Sequence, residues 1–436
     1  MTPEMIGLVG LAILLIMLAL RVPVAIAMFT VGLVGVSVLR NPTVALSYLS
    51  SETFSLASSA DLLVIPLFIL MGNVATESGM SRRLYDAAYS WIGHWRGGLA
   101  SATVVGSGGF AALSGSSVAS ALTMGRVALG EMERFRYSHR LSCGAVAAGG
   151  TLGILIPPST GFVLYAILTQ QSIGRLFLAG VVPGLVLMGL FILTILILTT
   201  LNPALGPKGP KASWGQRMTA TLGSFPLIGL VAVTIGGIYG GIFSPTEAAG
   251  IGALLAILYG LLTRHLSLKG LWAALTDSVS TTAVVMLVLI GAHVFGPFLA
   301  LSHVPTMVGN WLTALPLGPI GIVLVILCTY LILGCFMEGY AMLVLTMPIF
   351  FPVITGLGFD PIWFGVVVVV MLEMGLITPP VGINVFIVKS VAPHVDMSEI
   401  FRGVWPFLMA MIALVVLLIL WPDLALMLPN TMLGAG

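Results

Sequence analysis

Charged side chains are scarce in this sequence. Its 436 residues include 17 lysines and arginines and 15 aspartates and glutamates, so only 7% of the chain is charged, whereas soluble domains are about 25% charged. Apolar residues make up 58% of the chain. Such a chain cannot cover a water-facing surface, and the composition predicts a multi-pass, all-α membrane protein in place of a soluble enzyme or a nucleic-acid binder.

Motifs of metal centres and hydrolases are also missing. The three cysteines, Cys143, Cys328 and Cys335, lie in apolar stretches without CxxC or Cys/His spacing, which indicates neither a disulfide framework nor a transition-metal site. No HExxH motif occurs, and Ser114 has no histidine or aspartate in its own motif. We therefore expect neither an enzyme nor a cofactor beyond a coupling ion.

Long apolar stretches recur along the chain, and about 20 such residues cross a bilayer. The uninterrupted ones are residues 4–21, 23–39, 60–80, 173–200, 222–242, 246–263, 276–300 and 400–421. With the amino terminus outside, 15 of the 17 lysines and arginines fall on the cytoplasmic side, and only Arg40 and Arg175 fall outside. This bias predicts the orientation, because cytoplasmic loops of membrane proteins are rich in Lys and Arg.

Two further stretches, 140–170 and 362–392, carry Pro157-Pro158 and Pro379-Pro380 in their middles. Proline lacks an N–H and clashes with the preceding helical turn, so both stretches predict broken helices. Two others are too long for one helix and predict re-entrant hairpins. These are residues 98–130, interrupted at 114–117 (the first tip), and residues 319–356, interrupted within 334–339 (the second tip).

The two halves of the chain repeat each other at a separation of about 222 residues. The matching pairs are Pro23 and Pro245, Thr123-Met124 and Thr346-Met347, Pro157-Pro158 and Pro379-Pro380, and Gly180 and Gly403. The first copy, 1–201, contains five crossings, and an odd number predicts that the second copy, 222–436, is inverted across a cytoplasmic linker, 202–221. Inverted repeats with discontinuous helices are the architecture of secondary transporters.

The chemistry is expected at the two breaks, residues 153–161 (the first break) and 375–384 (the second break). Unpaired backbone groups cost several kcal/mol each in hydrocarbon, so they must face protein, water or a ligand. Carbonyl and hydroxyl oxygens suit a hard cation such as Na⁺, and half-helix amino ends suit an anion. A plain proline kink is the alternative interpretation and is favoured for a single Pro-Pro pair, whereas two pairs at matching positions favour a binding site. A plain turn is an alternative for the first tip.

Three carboxylates lie near these features. Glu338 in the second tip is a functional candidate because ionisable groups are costly inside a membrane, although it could instead bond the amides of its own tip. Glu373 precedes the second break, and with Glu338 it leaves coupling to H⁺ open. For Glu247, at the start of a helix, capping of free amides is the favoured interpretation.

The sequence resembles the large membrane subunit of tripartite ATP-independent periplasmic (TRAP) transporters over nearly its whole length. The resemblance is carried by Ile65-Pro66-Leu67-Phe68, the first tip with Thr123-Met124-Gly125-Arg126, Pro245-Thr246-Glu247-Ala248-Ala249-Gly250, Met337-Glu338-Gly339 and the second break. It implies Na⁺-coupled uptake of an organic acid across the bacterial inner membrane by an elevator motion. It also implies two partners, a small four-span membrane subunit and a periplasmic substrate-binding protein.

Together these observations predict that each tip closes over its own break to make a cation site, with the substrate between the two. The expected cation-binding residues are Ser114, Gly115, Ser116, Ser117, Gly153, Pro157, Ser159, Gly334, Glu338, Gly375, Thr378 and Pro379. The expected substrate-binding residues are Ser116, Thr160, Gly161, Met337, Gly382 and Asn384. Alternatives are a self-sufficient ion-coupled carboxylate or ion transporter that needs no partner protein, an ion channel, and a membrane-embedded enzyme.

Overall fold

The computed structural model describes residues 1–431, with the backbone alone for Asp61, so residues 432–436 of the predicted second repeat lie outside the described residues. The described chain forms 20 α-helices. They are α1 (Pro3–Ala19), α2 (Val24–Leu39), α3 (Pro42–Ala57), α4 (Val64–Glu77), α5 (Met80–Ile92), α6 (Gly98–Ser114), α7 (Ser117–Arg134), α8 (His139–Leu155), α9 (Thr160–Thr169), α10 (Ile173–Leu201), α11 (Trp214–Tyr239), α12 (Pro245–Leu262), α13 (Leu268–Leu301), α14 (Val304–Thr313), α15 (Pro319–Gly334), α16 (Gly339–Gly356), α17 (Pro361–Gly375), α18 (Ile383–Val391), α19 (Met397–Leu420) and α20 (Asp423–Asn430).

The all-helical membrane fold is confirmed. Six described helices, α10, α11, α12, α13, α16 and α19, are long and apolar enough to cross a bilayer, and the bent pairs α4–α5 and α8–α9 raise the number to eight. Large apolar side chains such as Leu201, Leu262 and Leu420 are exposed along these helices, as expected of a surface that contacts lipid. The inverted relation of the two halves stays a prediction.

Helices stop and restart where the sequence predicts interruptions. α8 ends at Leu155 and α9 begins at Thr160, while α17 ends at Gly375 and α18 begins at Ile383. Both Pro-Pro peptide bonds are cis. The two hairpins are formed by α6 with α7 and by α15 with α16, so each half contains one helical hairpin followed by one interrupted helix.

Local capping extends some helices beyond their predicted bounds. α11 begins at Trp214, inside the predicted linker 202–221, because Ser213 and Gln216 form a capping box that satisfies amides at its first turn. α13 begins at Leu268 because the Ser267 hydroxyl accepts from the Gly270 amide at 3.0 Å. The helices α14 and α20 are not anticipated by the apolar pattern. The predicted capping role of Glu247 is confirmed, since its carboxylate accepts from the Ser244 amide at 2.8 Å.

The helices pack as two groups. Contacts among α1 to α5 and α11 to α14, above all α2 along α13 and α4 along α12, form what we call the frame. The hairpins, the interrupted helices, α10, α19 and α20 form the central group, which meets the frame where α6 packs on α4 and α5 and where α16 packs on α13 and α14. Residues 141–155 of α8 and 362–375 of α17 are all buried, so both helices that lead into the breaks lie inside protein.

Two glycines set the distance between α8 and α19, which belong to different halves of the chain. A Cβ at Gly144 would overlap the carbonyl oxygen of Gly403, and a Cβ at Gly403 would overlap that of Arg140. Both helix backbones are therefore in direct contact. Close approach of this kind needs residues without side chains.

We expect Gly144→Ala to destabilise the protein by about 1–3 kcal/mol, since the two helices must separate to admit a methyl group. Thermal unfolding in detergent measures this change. Gly189→Ala is the matched control, because nothing lies within 4 Å of a Cβ at that position in α10 and alanine is the better helix former. Equal unfolding temperatures for the two variants would contradict the packing argument.

Candidate functional site

The first tip rests directly on the first break. Gly115 adopts a left-handed backbone with φ +56°, which exposes its carbonyl oxygen to the Thr160 hydroxyl, a donor at 2.8 Å. Gly153 faces the other side of the tip, where a Cβ would lie 2.5 Å from the carbonyl oxygen of Ser116. The absence of a side chain at residue 153 therefore lets tip and break meet backbone to backbone.

Several predicted cation ligands have other hydrogen-bond roles here. The Ser116 hydroxyl caps α7 by accepting from the Ala119 amide at 3.3 Å, and the Ser159 hydroxyl caps α9 by accepting from the Phe162 amide at 3.3 Å. The Ser114 hydroxyl lies 3.1 Å from that of Ser120. A hydroxyl oxygen has two lone pairs, so each capping oxygen retains one for a further partner.

The second tip rests on the second break through two glycines. A Cβ at Gly375 would lie 2.6 Å from the Cα atom of Gly334, so α15 and the end of α17 touch through their backbones. The Thr378 hydroxyl donates to the Met374 carbonyl of its own helix at 2.6 Å. Glu338 is exposed and makes no side-chain capping bond to the described amides of α16, so the structure does not bear out the alternative in which it caps its own tip.

Three contacts join the two halves of the chain at the breaks. The Ser117 hydroxyl donates to Oε2 of Glu373 at 2.6 Å, and the Thr160 hydroxyl hydrogen-bonds to that of Tyr340. The Asn384 amide nitrogen donates to the Ala147 carbonyl at the long distance of 3.5 Å. Each contact pairs a tip or break of one half with a helix of the other.

Two buried oxygens in this region accept no hydrogen bond from the described residues. They are Oε1 of Glu373 and Oδ1 of Asn384, on side chains that are 1% and 0% exposed. Buried acceptors are nearly always paired in native proteins, and each exception calls for a bound water, a bound ion or a functional role. Both atoms are hard oxygen ligands, the kind that alkali and alkaline-earth cations prefer.

The other predicted residues line the same breaks. Pro157 and Gly161 are buried in the first break, Gly382 has φ +60° in the second, and Met337 and Pro379 are partly buried. The expected site residues omit Glu373 and Tyr340, which the structure places at the junction of the halves. For Glu373 the sequence does hold a signal, because it is the only ionisable residue of the otherwise apolar helix α17.

A polar cavity of about 770 Å³ lies between the frame and the central group. It is lined by Ser55 and Ser59 of the frame, by Gln170 and Gln171 after α9, by Ser244 before α12 and by His293 of α13. In the predicted orientation these loops lie on the side of the membrane opposite the cytoplasm. Water and a small polar molecule could therefore enter between the two helix groups from that side.

Two interrupted helices that each meet a hairpin tip, around buried polar groups in a lipid-facing helical chain, define a membrane transport protein. More narrowly, the chain belongs to the family described as "Tripartite ATP-independent periplasmic transporter, DctM component", whose model matches residues 11–424. Like other members it is a multi-pass protein of the bacterial inner membrane, and it is a transporter permease.

Individual relatives agree with this assignment. The "C4-dicarboxylate TRAP transporter large permease protein DctM" of Pseudomonas aeruginosa is 38% identical over 88% of this chain and 89% of its own. The "Sialic acid TRAP transporter large permease protein SiaM" of Vibrio cholerae is 32% identical over 95% of this chain and 96% of its own. The Alcanivorax borkumensis YdaH transporter shares the fold, with a TM-score of 0.63 and 17% identity over 88% of this chain and 90% of that chain.

The Ser117–Glu373 contact can be tested by a double-mutant cycle. We expect Ser117→Ala to destabilise the protein by about 1–3 kcal/mol, because a buried carboxylate oxygen loses its donor. In a Glu373→Met background the same change should cost much less. Ser142→Ala is the control, since that hydroxyl bonds only a carbonyl one turn away. Equal costs in both backgrounds, measured by thermal unfolding, would show that the contact carries no coupling energy.

Proposed function

We propose that this chain is the transmembrane subunit of a Na⁺-coupled secondary transporter that imports an organic acid. A periplasmic binding protein delivers the acid, and a small four-span membrane subunit completes the complex. Family membership supports the tripartite assembly over a self-sufficient transporter. The observation that carries the coupling proposal is the buried Oε1 of Glu373 beside the helix breaks, which accepts no hydrogen bond from the described residues.

The coupling cation binds where the tips meet the breaks. Around the first break, neutral ligands come from the carbonyl and hydroxyl oxygens of the first tip and from Gly153, Pro157 and Ser159. The hydrogen bond from Ser117 holds the negatively charged carboxylate of Glu373 next to them. A buried carboxylate without a cationic partner is strongly disfavoured. A bound Na⁺ compensates that charge, so ion binding and closure of the tip favour each other.

Around the second break Gly334, Glu338, Gly375, Thr378 and Pro379 form the matching site. Here Glu338 is the carboxylate, and its freedom from capping leaves both oxygens available to an ion. Glu338 and Glu373 are also the two side chains that would carry the proton if H⁺ drove transport in place of Na⁺.

The substrate lies between the tips, against Ser116, Thr160, Gly161, Met337, Gly382 and Asn384. Capping differs between the halves: Ser116 and Ser159 cap α7 and α9, whereas α16 and α18 have no side-chain cap among the described residues. Of these two, the amino end of α16 offers free N–H groups and partial positive charge to a carboxylate, because the Asn384 and Val385 amides of α18 already donate to the carbonyls of Leu376 and Gly382. Both relatives named above transport carboxylates according to their names, which supports an organic acid as substrate.

Transport follows an elevator motion in which the central group slides along the frame. The packing supports this division, because α6 and α16 make the principal contacts across it. The polar cavity beside Gln170 and His293 lies along the same boundary. In the predicted orientation it is where the binding protein releases the substrate to the permease.

Uptake into proteoliposomes tests the assembly. The chain, co-purified with its small subunit, should import a labelled acid from a panel of C4-dicarboxylates and sialic acid only when both the binding protein and an inward Na⁺ gradient are present. The negative controls omit the binding protein, omit the Na⁺ gradient, or replace Na⁺ with choline, and none of them should show uptake. Uptake by the chain alone would establish the self-sufficient transporter instead, and uptake driven equally by a pH gradient would establish H⁺ coupling.

Glu373→Gln tests the ion site. Glutamine keeps the size of the side chain and can still accept from Ser117, but it removes the charge that attracts the cation. We expect Na⁺-dependent substrate binding to weaken at least about tenfold, since charge-assisted interactions contribute about 1.5–3 kcal/mol. Binding is compared in Na⁺ and choline buffers.

Glu247→Gln is the matched control for that experiment. It makes the same chemical change in an exposed capping box, where a small loss of helix stability is the expected effect. Unchanged Na⁺ dependence in the Glu373 variant, or equal substrate binding by the unmodified chain in Na⁺ and choline, would refute the assigned ion site.

A further inference from the structure

A cluster of metal-ligating side chains lies away from the breaks, at the opposite end of α7 and α8. Glu133 in the last turn of α7, His139 at the start of α8 and His394 in the loop before α19 bring one ligand atom each within 4.8 Å of the others. Nε2 of His394 lies 3.7 Å from Oε1 of Glu133. The rings of His139 and His394 are edge to face, with centroids 5.3 Å apart.

We propose that Glu133, His139 and His394 bind a divalent transition metal ion, with Zn²⁺ the best fit. Two imidazoles and one carboxylate form a ligand set that Zn²⁺ uses in proteins, leaving a fourth position for water. In a tetrahedral site with bonds of about 2.0–2.1 Å the ligand atoms are about 3.3 Å apart. The observed spacing needs only small side-chain rotations to reach that value.

Both backbone segments of the site are held in place by hydrogen bonds. The Lys389 ammonium donates to the carbonyls of Pro393 at 2.8 Å and Val395 at 2.7 Å, on either side of His394. In the turn between α7 and α8 the Tyr137 hydroxyl donates to the Pro207 carbonyl at 2.8 Å. Ligands on fixed segments lose little freedom when the ion binds, which favours a specific site.

Two of the positive charges near the ligands have other partners, whereas Arg136 and Arg140 on either side of His139 are exposed to solvent. Lys389 is occupied by the two carbonyls, and Arg134 lies 4.0 Å from the carboxylate of Glu131. Two of the three ligands, Glu133 and His394, have side chains that are more than half exposed. The ion can therefore reach them from water on the predicted cytoplasmic side. Since His394 belongs to the second half of the chain, the bound ion ties the base of the first hairpin to that half.

Zn²⁺ binding to the detergent-solubilised chain, purified without a polyhistidine tag, tests the proposal by calorimetry. We expect one ion per chain, with His139→Ala and His394→Ala each weakening binding at least about tenfold and Glu133→Gln by a similar factor. His303→Asn is the matched control, because it removes a distant imidazole at a left-handed position, φ +55°, that asparagine tolerates. It should bind as the unmodified chain does.

Two further readouts separate the site from adventitious binding. Cu²⁺ bound in place of Zn²⁺ should show electron paramagnetic resonance couplings to two imidazole nitrogens, reduced to one in either histidine variant. Zn²⁺ should also raise the unfolding temperature of the unmodified chain but not of the double histidine variant, because the ion binds only the folded site. No binding, or equal binding by the double variant, would overturn the proposal. None of these measurements depends on transport.

Discussion

The structure depends on how two interrupted helices satisfy their backbone polar groups inside a membrane. A break exposes carbonyls at one half-helix end and amides at the next, and lipid offers neither a partner. This chain solves the problem by placing a hairpin tip on each break. The contacts require backbones to touch, which is why Gly153 faces the Ser116 carbonyl and Gly375 faces Gly334.

Once the breaks are enclosed by protein, a charged group beside them is costly unless it has a partner. Glu373 sits at the end of a buried helix, and only one of its two oxygens has a donor among the described residues. In a low dielectric an uncompensated charge costs far more than a single hydroxyl returns. The same enclosure that stabilises the backbone therefore favours cation binding at the proposed site beside Glu373, where the two halves are in contact.

Much of this architecture can be predicted from the sequence because short local motifs determine where the helices are interrupted. The Pro-Pro pairs predict where α8 and α17 end and where α9 and α18 begin, and the serine-rich first tip predicts where α6 ends and α7 begins. The structure has these helix bounds at the predicted positions. Helix starts that depend on capping, such as Trp214, are less visible because the deciding bonds are made by polar residues outside the apolar run. The pairing of Ser117 with Glu373 spans 256 residues, and no local pattern connects positions so far apart.

The two halves use one backbone plan but different side chains at the equivalent helix starts. Ser116 and Ser159 give α7 and α9 hydroxyl caps, whereas Glu338 and Gly382 give α16 and α18 none. At a capped amino end some first-turn amides already donate to a neutral side-chain oxygen, so the helix end attracts an anion less than an uncapped end with free amides does. In the proposed sites this difference favours the substrate carboxylate at the amino end of α16, while cations are favoured beside Glu373 at the first tip and beside Glu338 at the second. At α18 the Asn384 and Val385 amides already donate to the carbonyls of Leu376 and Gly382, so that helix start attracts an anion less.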